Sequence, residues 1–152
     1  MKTLSNANDR DELLRRLDTI GPASQRRWGK MTVAAMVCHL SDALRVAMGE
    51  KHAGPIGNWA SRSVVKWGAL WVPTPWPHGV PTVPACNARM DGTKPAEIES
   101  DLNRLREDFA RFTRQPRGYE LQAHAIFGEM NEKEWMRWGY LHMDHHLRQF
   151  GA

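Results

Sequence analysis

The chain has 152 residues, 41% hydrophobic and 25% charged, a composition typical of one soluble globular domain spanning residues 1–152. Its net charge of +4 comes from dispersed arginines without a basic run or a recognition motif, which argues against nucleic-acid binding. Two cysteines, a polar start and no apolar run of about 20 residues argue against a disulfide framework, a signal peptide and a membrane span, so we expect a reduced cytoplasmic protein without a membrane partner.

Two helices are predicted in the first third of the chain. The first runs from Asn8 to Ile20, with acidic residues in its first turn and Gly21-Pro22 at its end. The second lies within MTVAAMVCHLSDALRVAMG, where Thr32 is placed to cap the N-terminus and Gly49 to end the helix. Apolar residues recur with helical spacing in both segments, so each helix has one face suited to a core.

The middle of the chain is rich in tryptophan and proline. A shorter helix is predicted from Ile56 to Leu70, and the prolines that follow exclude regular helix or central strand from the loop of residues 71–86. A long ordered loop in a compact domain often covers a site, and we predict that role for this loop. An alternative interpretation is an interfacial module that contacts a membrane or a partner through Trp59, Trp67, Trp71 and Trp76.

Two further helices are predicted in the second half. The third is expected to begin with Thr93 as its cap and Pro95 in its first turn. Its apolar residues step by four and three, as in a bundle seam: Ile98, Leu102, Leu105, Phe109 and Phe112. The fourth begins at Asn131, which forms a capping box with Glu134, and continues almost to the C-terminus. Four main helices without strand alternation predict an all-α four-helix bundle.

The last helix carries three histidines within the stretch HMDHHLRQF. At about 100° of rotation per residue, His142, His146 and Gln149 share a face with Trp135 and Trp138. The bulk of the two tryptophans indicates that this face points inward, so the histidines are predicted to be buried. A buried polar group without a partner costs on the order of 1–3 kcal/mol, and these imidazoles therefore need partners.

A divalent cation is one such partner, because it takes neutral imidazoles as ligands and an i, i+4 pair such as His142 and His146 is bidentate by geometry. His39 on the second helix is the candidate for a third ligand, since neighbouring alanines leave space beside its ring and Asp42 is placed to orient it. Three histidines without a fourth protein ligand would leave an open position, as in catalytic zinc sites. The alternative is that these are core histidines bonded to backbone or to each other.

Several residues are expected near this site in lesser roles. His145 is expected to face solvent or a helix boundary, and Cys38 to be a small core residue, because it points about 100° away from His39. His124 is a candidate for lining the mouth of the site. The tryptophans are more typical of core than of a cofactor pocket. The residues predicted to support the ligands or line the pocket are Asp42, Gln149, His145, Trp135, Trp138 and His124.

The order of these motifs resembles the DinB-like metalloprotein superfamily. The family pattern in the last helix is H-x-x-H-H-x-x-Q, and this chain reads His142, His145, His146 and Gln149, after a histidine within MTVAAMVCHLSDAL. The phrases HAIFGEMNEKEW and YLHMDHHLRQFG are similar to one uncharacterised bacterial branch of that superfamily. The likeness covers the whole chain in order and length.

The resemblance implies a four-helix bundle with an unusual crossover topology and a divalent metal, often zinc or nickel, held by His39, His142 and His146. It also implies a small-molecule substrate, because some relatives are transferases that use a low-molecular-weight thiol as cosubstrate and another is a maleylpyruvate isomerase. Many members are homodimers, so the resemblance allows a homodimer for this chain. It does not imply DNA binding. The loop of residues 71–86 departs from the family, because it has no pattern that maps to thiol binding.

Two classes of function follow from these predictions. The leading class is a metal-dependent enzyme, either a thiol-dependent S-transferase or a hydrolase, in which the metal acts as a Lewis acid on a thiol, a water or a substrate oxygen. The nucleophile in these reactions is a small thiol or a water and not a side chain, which agrees with a sequence that has no nucleophile motif. The alternative is a non-catalytic, stress-related metal-binding protein whose ion only braces the bundle.

Overall fold

The computed structural model describes residues 1–152 and contains helices but no β-strand. Its elements are helices α1 (Ala7–Leu17) and α2 (Val33–Ala47), a π-helical turn (Ser61–Val65) that continues into the short helix α3 (Lys66–Trp71), a 3-10 turn (Pro84–Cys86), and helices α4 (Ile98–Thr113) and α5 (Glu132–Gln149). The all-helical class predicted from the sequence is therefore confirmed.

The core forms between the apolar faces of the four longer helices. Helix α2 packs mainly against α4, while α1 and α3 pack against α5. The seam predicted for α4 is confirmed, with Leu102 and Phe112 among its fully buried residues. Trp135 and Trp138 are buried as well, so the face of α5 that carries them points inward as predicted. Each large apolar side chain buried in this way stabilises the fold by roughly 1.5–3 kcal/mol.

Local capping explains where α2 and α5 begin and end. The Thr32 hydroxyl accepts a hydrogen bond from the amide of Ala35, and Gly49 adopts a φ of 78° just beyond the helix. Only glycine takes that conformation without strain, so its predicted place at the helix end is confirmed. Asn131 and Glu134 bond each other's backbone amides at 2.9–3.0 Å, which confirms the predicted capping box.

The predicted limits of the first and the short middle helix were too wide. Helix α1 ends at Leu17, and Ile20 follows the turn after it, although its side chain is still buried in the core. The middle helical segment begins at Trp59 rather than Ile56, because the amides of Ile56 and Gly57 donate instead to the carbonyl of Ala125. An apolar pattern alone does not show which backbone amides have partners in a distant loop.

The predicted start of the third long helix is wrong. Helix α4 begins at Ile98, so neither Thr93 nor Pro95 belongs to its first turn. The Asp101 carboxylate accepts a hydrogen bond from the amide of Ala96 and holds the chain just before the helix. Thr93 is engaged elsewhere, because both its amide and its hydroxyl donate to Asp42 on α2.

The four tryptophans of the middle region do not form one exposed patch. Trp59 and Trp67 are 79% and 62% exposed, whereas Trp71 and Trp76 pack against the core. Only Trp71 and Trp76 therefore contribute to the interior. None of the helices combines the length and the apolar character needed to span a bilayer.

Candidate metal centre

Three histidines from two helices meet between α2 and α5. His142 and His146 lie one turn apart on the inward face of α5, and His39 projects toward them from the middle of α2. The three ring centroids form a nearly equilateral triangle with sides of 4.7, 4.9 and 5.0 Å. One nitrogen from each ring lies within 4.8 Å of the others, so the three could bind one metal ion.

The tautomer of His39 is set by a backbone carbonyl. Its Nδ1 lies 3.1 Å from the carbonyl oxygen of Cys86, in the 3-10 turn at the end of the proline-rich loop. A carbonyl oxygen can only accept, so Nδ1 carries the proton and donates it. In the neutral ring the lone pair then resides on Nε2, which faces the other two histidines.

His146 is oriented in the same way by Gln149. The Gln149 amide donates from Nε2 to the carbonyl of Trp28 at 2.9 Å, which leaves its Oε1 to face His146. Nδ1 of His146 donates to that oxygen, also at 2.9 Å, so the lone pair of this ring is likewise on Nε2. An N–H partner that fixes ring orientation and tautomer is the usual support of a metal-binding histidine.

His142 completes the site from the turn before His146. Its Nε2 lies 3.0 Å from Nε2 of His39. Without a metal, His142 must donate its proton across this gap, and the Nε2 lone pair of His146 then has no hydrogen-bond donor in the chain. A metal ion bound between the three rings would be coordinated by all three Nε2 lone pairs.

Burial keeps the three imidazoles neutral. Desolvation is the first cause that lowers the pKa of His39, and it lowers the pKa values of His142 and His146 well below the ordinary value. For His142 and His146, repulsion from the neighbouring rings lowers the pKa further. Neutral imidazole is the form that binds metals, so the rings do not have to lose protons at neutral pH before they act as ligands.

The chemistry of the donors fits a borderline divalent cation. Three imidazole nitrogens suit zinc, nickel or copper better than magnesium or calcium, which prefer oxygen ligands. No carboxylate or cysteine belongs to the cluster. Cys38 is buried as expected, and burial together with the nearby Asp101 raises the pKa of its thiol to about 12, so it stays protonated.

The role predicted for Asp42 is wrong. Its carboxylate is buried and accepts hydrogen bonds from the amide and the hydroxyl of Thr93, both at 2.6 Å, and it pairs with Lys51 at 2.8 Å. The ring nitrogen of His39 that Asp42 was expected to orient is bound to Cys86 instead. Asp42 therefore ties α2 to the loop before α4 and does not orient the imidazole.

Tryptophan rings form one wall of the site. Trp138 stacks on His142 with ring centroids 4.7 Å apart. Trp135 lies against Trp138 at 5.0 Å and is deeper in the core. His124 contacts both tryptophans rather than the triad itself, and burial lowers the pKa of its ring to about 4. His124 therefore reaches the triad only through Trp138, and its predicted place at the mouth of the site stays a prediction.

A second group of rings borders the triad on another side. His145 lies 5.2 Å from His146 and about 6 Å from each of Trp28, Trp76 and His78. It is half-buried, so the expectation that it faces solvent or a boundary is only partly right. His78 stacks on Trp28 with centroids 4.2 Å apart and an interplanar angle of 7°.

Sequence reasoning missed Trp28, Cys86 and His78. Cys86 contributes only its carbonyl, which every residue has, so no sequence signal marks it. His78 and Trp28 lie in separate loops, and only the fold brings their rings together. The position of Trp76, 6.2 Å from His142, agrees with the prediction that the loop of residues 71–86 covers a site.

Comparison with known proteins covers only the second half of the chain. Residues 81–152 match a family model described as "Protein of unknown function (DUF1569)". The matched part includes His142 and His146 but not His39. No curated protein matches the chain, and no solved structure matches it either. The family match assigns no activity to the chain.

Proposed function

We propose that this protein is a divalent-metal-dependent enzyme of the DinB-like superfamily that acts on a small molecule. The metal, zinc or nickel, would be held by His39, His142 and His146. The observation that carries the proposal is the pair of hydrogen bonds that His39 donates to the Cys86 carbonyl and His146 donates to Gln149 Oε1, because they orient both rings so that their Nε2 lone pairs face the same space. Four helices longer than ten residues support the four-helix bundle of that superfamily as part of the proposal.

The number of ligands favours catalysis over a bracing role. Structural zinc sites use four protein ligands, whereas catalytic sites use three and keep a position for water or substrate. The cluster contains three candidate ligands and no fourth. This supports the enzyme over a stress-related protein whose metal is fully coordinated by side chains.

The nucleophile in the proposed reaction comes from outside the protein. Burial is the first cause that raises the pKa values of both cysteines, Cys38 and Cys86, to about 12, so neither forms a thiolate near neutral pH. A bound divalent metal would supply Lewis acidity that lowers the pKa of a small thiol or of water. The two reactions that fit are transfer of a low-molecular-weight thiol to an electrophile, and hydrolysis.

The residues around the triad would bind and shield the substrate. Trp138 supplies an apolar face against His142, and Trp76 approaches the same ring from the proline-rich loop. His145 and His78 add polar rings on the side bordered by Trp28. An apolar wall with a few convergent polar groups is typical of a small-molecule site.

Metal content tests the ligand assignment. Protein purified without a histidine tag should hold about one zinc or nickel ion per chain, measured by elemental analysis. His39→Ala, His142→Ala and His146→Ala should each lose most of it, whereas His52→Ala, which removes an exposed loop histidine, should retain it. Equal metal content in all four variants and the wild type would refute the site.

Activity is tested separately. Small thiols are offered with generic electrophiles, and hydrolysable esters are offered alone, to metal-loaded protein with and without chelator. A chelator-sensitive rate in either assay supports the enzyme. A protein that binds metal, unfolds without it and turns over neither class would support the bracing role.

A further inference from the structure

A second candidate site lies outside the histidine triad. A cavity of about 610 Å³ is lined by residues from the end of α2, the segment after it and the turn of residues 124–128. None of His39, His142 and His146 lines this cavity. It is large enough for a metabolite-sized molecule, since small-molecule sites occupy roughly 300–1,000 Å³.

The cavity wall is held together by backbone hydrogen bonds. His124 and Gly128 exchange two such bonds, both 2.8 Å long, which close the turn between them. The carbonyl of Ala125 accepts from the amides of Ile56 and Gly57, and the Ser61 hydroxyl donates to the carbonyl of Ile126. The two loops on either side of the cavity are therefore joined before any ligand binds, which lowers the entropic cost of binding.

His124 presents an N–H donor in this wall. Its Nδ1 accepts hydrogen bonds from the amides of Ile126 and Phe127, at 3.2 and 3.1 Å. In the neutral ring the proton is therefore on Nε2. That N–H has no acceptor in the chain, although His124 lines the cavity. The Nε2 atom is not among the fully buried polar atoms of the chain, so a ligand in the cavity can take the place of water as its acceptor.

Arg62 adds a positive charge without an internal partner. It lines the cavity and forms no ion pair or side-chain hydrogen bond in the chain. Its aliphatic stem crosses Gly128, where a Cβ atom would lie 3.3 Å from Arg62 Cγ and Cδ and where φ is 67°. Glycine at that turn lets the arginine lie close to the backbone that carries His124.

Three charged residues line the cavity, the cations Arg62 and Lys51 and the carboxylate of Glu129. His52 and Lys51 also line it; Lys51 is paired with Asp42, and His52 is exposed. The one carboxylate among the lining residues belongs to Glu129, which is exposed. Residues 51–90 contain four lysines or arginines and no aspartate or glutamate, so their charge equals the net charge of the whole chain. Such a surface attracts anions.

We propose that this cavity binds a small organic anion through a carboxylate or phosphate group. Arg62 contacts the anionic group, His124 donates to it from Nε2, and Phe127 contributes an apolar surface for the rest of the ligand. Arginine suits this role because its planar guanidinium can hold two oxygens of either group. The site is independent of the metal and does not rest on the proposed enzymatic function.

Calorimetric titration of the full chain with inorganic phosphate and with citrate tests the proposal. We expect at least one of the two to bind saturably, with a dissociation constant below about 1 mM. Arg62→Gln should weaken that binding at least about tenfold, because it removes a charge-assisted hydrogen bond. Arg15→Gln is the matched control, since it removes the same charge from an exposed arginine on α1, and should change the constant less than about twofold.

Three results would overturn the proposal. One is no saturable binding of either anion, and another is an equal effect of the two arginine substitutions, which would indicate only the general field of the protein. The third is binding that is lost in His142→Ala and kept in Arg62→Gln, which would locate the anion at the triad. In the wild type, a shift of the His124 ring resonances on adding the anion gives a readout that depends on no variant.

Discussion

Gln149 offers a sharp test of how the triad is organised. It is 5% exposed, and its amide bridges the carbonyl of Trp28 and Nδ1 of His146. Gln149→Leu keeps similar volume but removes both hydrogen bonds. The imidazole N–H of His146 then loses its acceptor, and the ring can rotate or change tautomer so that its lone pair no longer faces the other two histidines.

The expected loss follows from the role of such supporting bonds. Removing a hydrogen-bond partner of a metal-binding histidine costs about 10- to 100-fold in metal affinity. That range corresponds to about 1.4–2.8 kcal/mol, which agrees with the cost of leaving a buried donor unpaired. Zinc affinity measured by competition with a chromophoric chelator should therefore fall by one to two orders of magnitude, roughly, in Gln149→Leu.

Two further variants separate this mechanism from simple damage to the fold. Gln149→Glu keeps an acceptor for His146 and loses the donor to Trp28, so it should retain zinc better than Gln149→Leu. Gly29→Ala should weaken zinc binding, because its new Cβ would lie 2.7 Å from Nε2 of Gln149 at a φ of 79°. If Gln149→Leu binds zinc as tightly as the wild type while remaining folded, the orienting role is refuted.

Three other outcomes are expected. Metal-free protein should lose stability as the pH falls from about 6.5 toward 4, because burial lowers the pKa of folded His124 to about 4 and the unfolded chain binds the proton first. This one group accounts for up to about 3 kcal/mol of the free energy of unfolding. A free energy of urea unfolding that stays constant across this pH window would contradict the prediction. Asp42→Asn should lower the free energy of unfolding by roughly 1–3 kcal/mol without changing zinc content, and loss of zinc in the folded variant would restore an orienting role for Asp42. Gly57→Ala should lower the melting temperature, because its Cβ would lie 1.9 Å from the carbonyl oxygen of Ile126 and the resulting strain costs about 1–3 kcal/mol. Gly54→Ala is the control, since a Cβ atom there would have open space around it. Equal melting temperatures of the two variants would contradict the packing described.

The helices that carry the histidine triad were predictable from local signals. Thr32 caps α2, and the pair Asn131 and Glu134 caps α5, through bonds that span three residues or fewer. The inward face of α5 followed from the helical period, because tryptophans and histidines recur on one side of it. His142 and His146 were paired for the same reason, since residues four apart on a helix are neighbours in any fold.

Errors arose where a residue with an ordinary local signal had a distant partner. Thr93 has the chemistry of a helix cap, yet it donates to Asp42 instead. Asp42 lies near His39 on the helical surface, but its carboxylate is already occupied by Thr93 and Lys51. Local sequence shows which hydrogen bonds a side chain can form, but it does not show which distant group is its partner in the folded chain.

What the sequence determined by itself is the all-helical class, the buried face of α5 and the one-turn pairing of His142 with His146, because periodicity and capping act within a few residues. His39 was predicted as the third ligand, but the 3.0 Å approach of its Nε2 to His142 depends on how α2 and α5 pack. The tertiary structure alone decided that Cys86 and Gln149 orient the rings and that His124 lines a separate cavity. Those contacts join backbone carbonyls and loops far apart in the chain, and they exist only once the helices have come together.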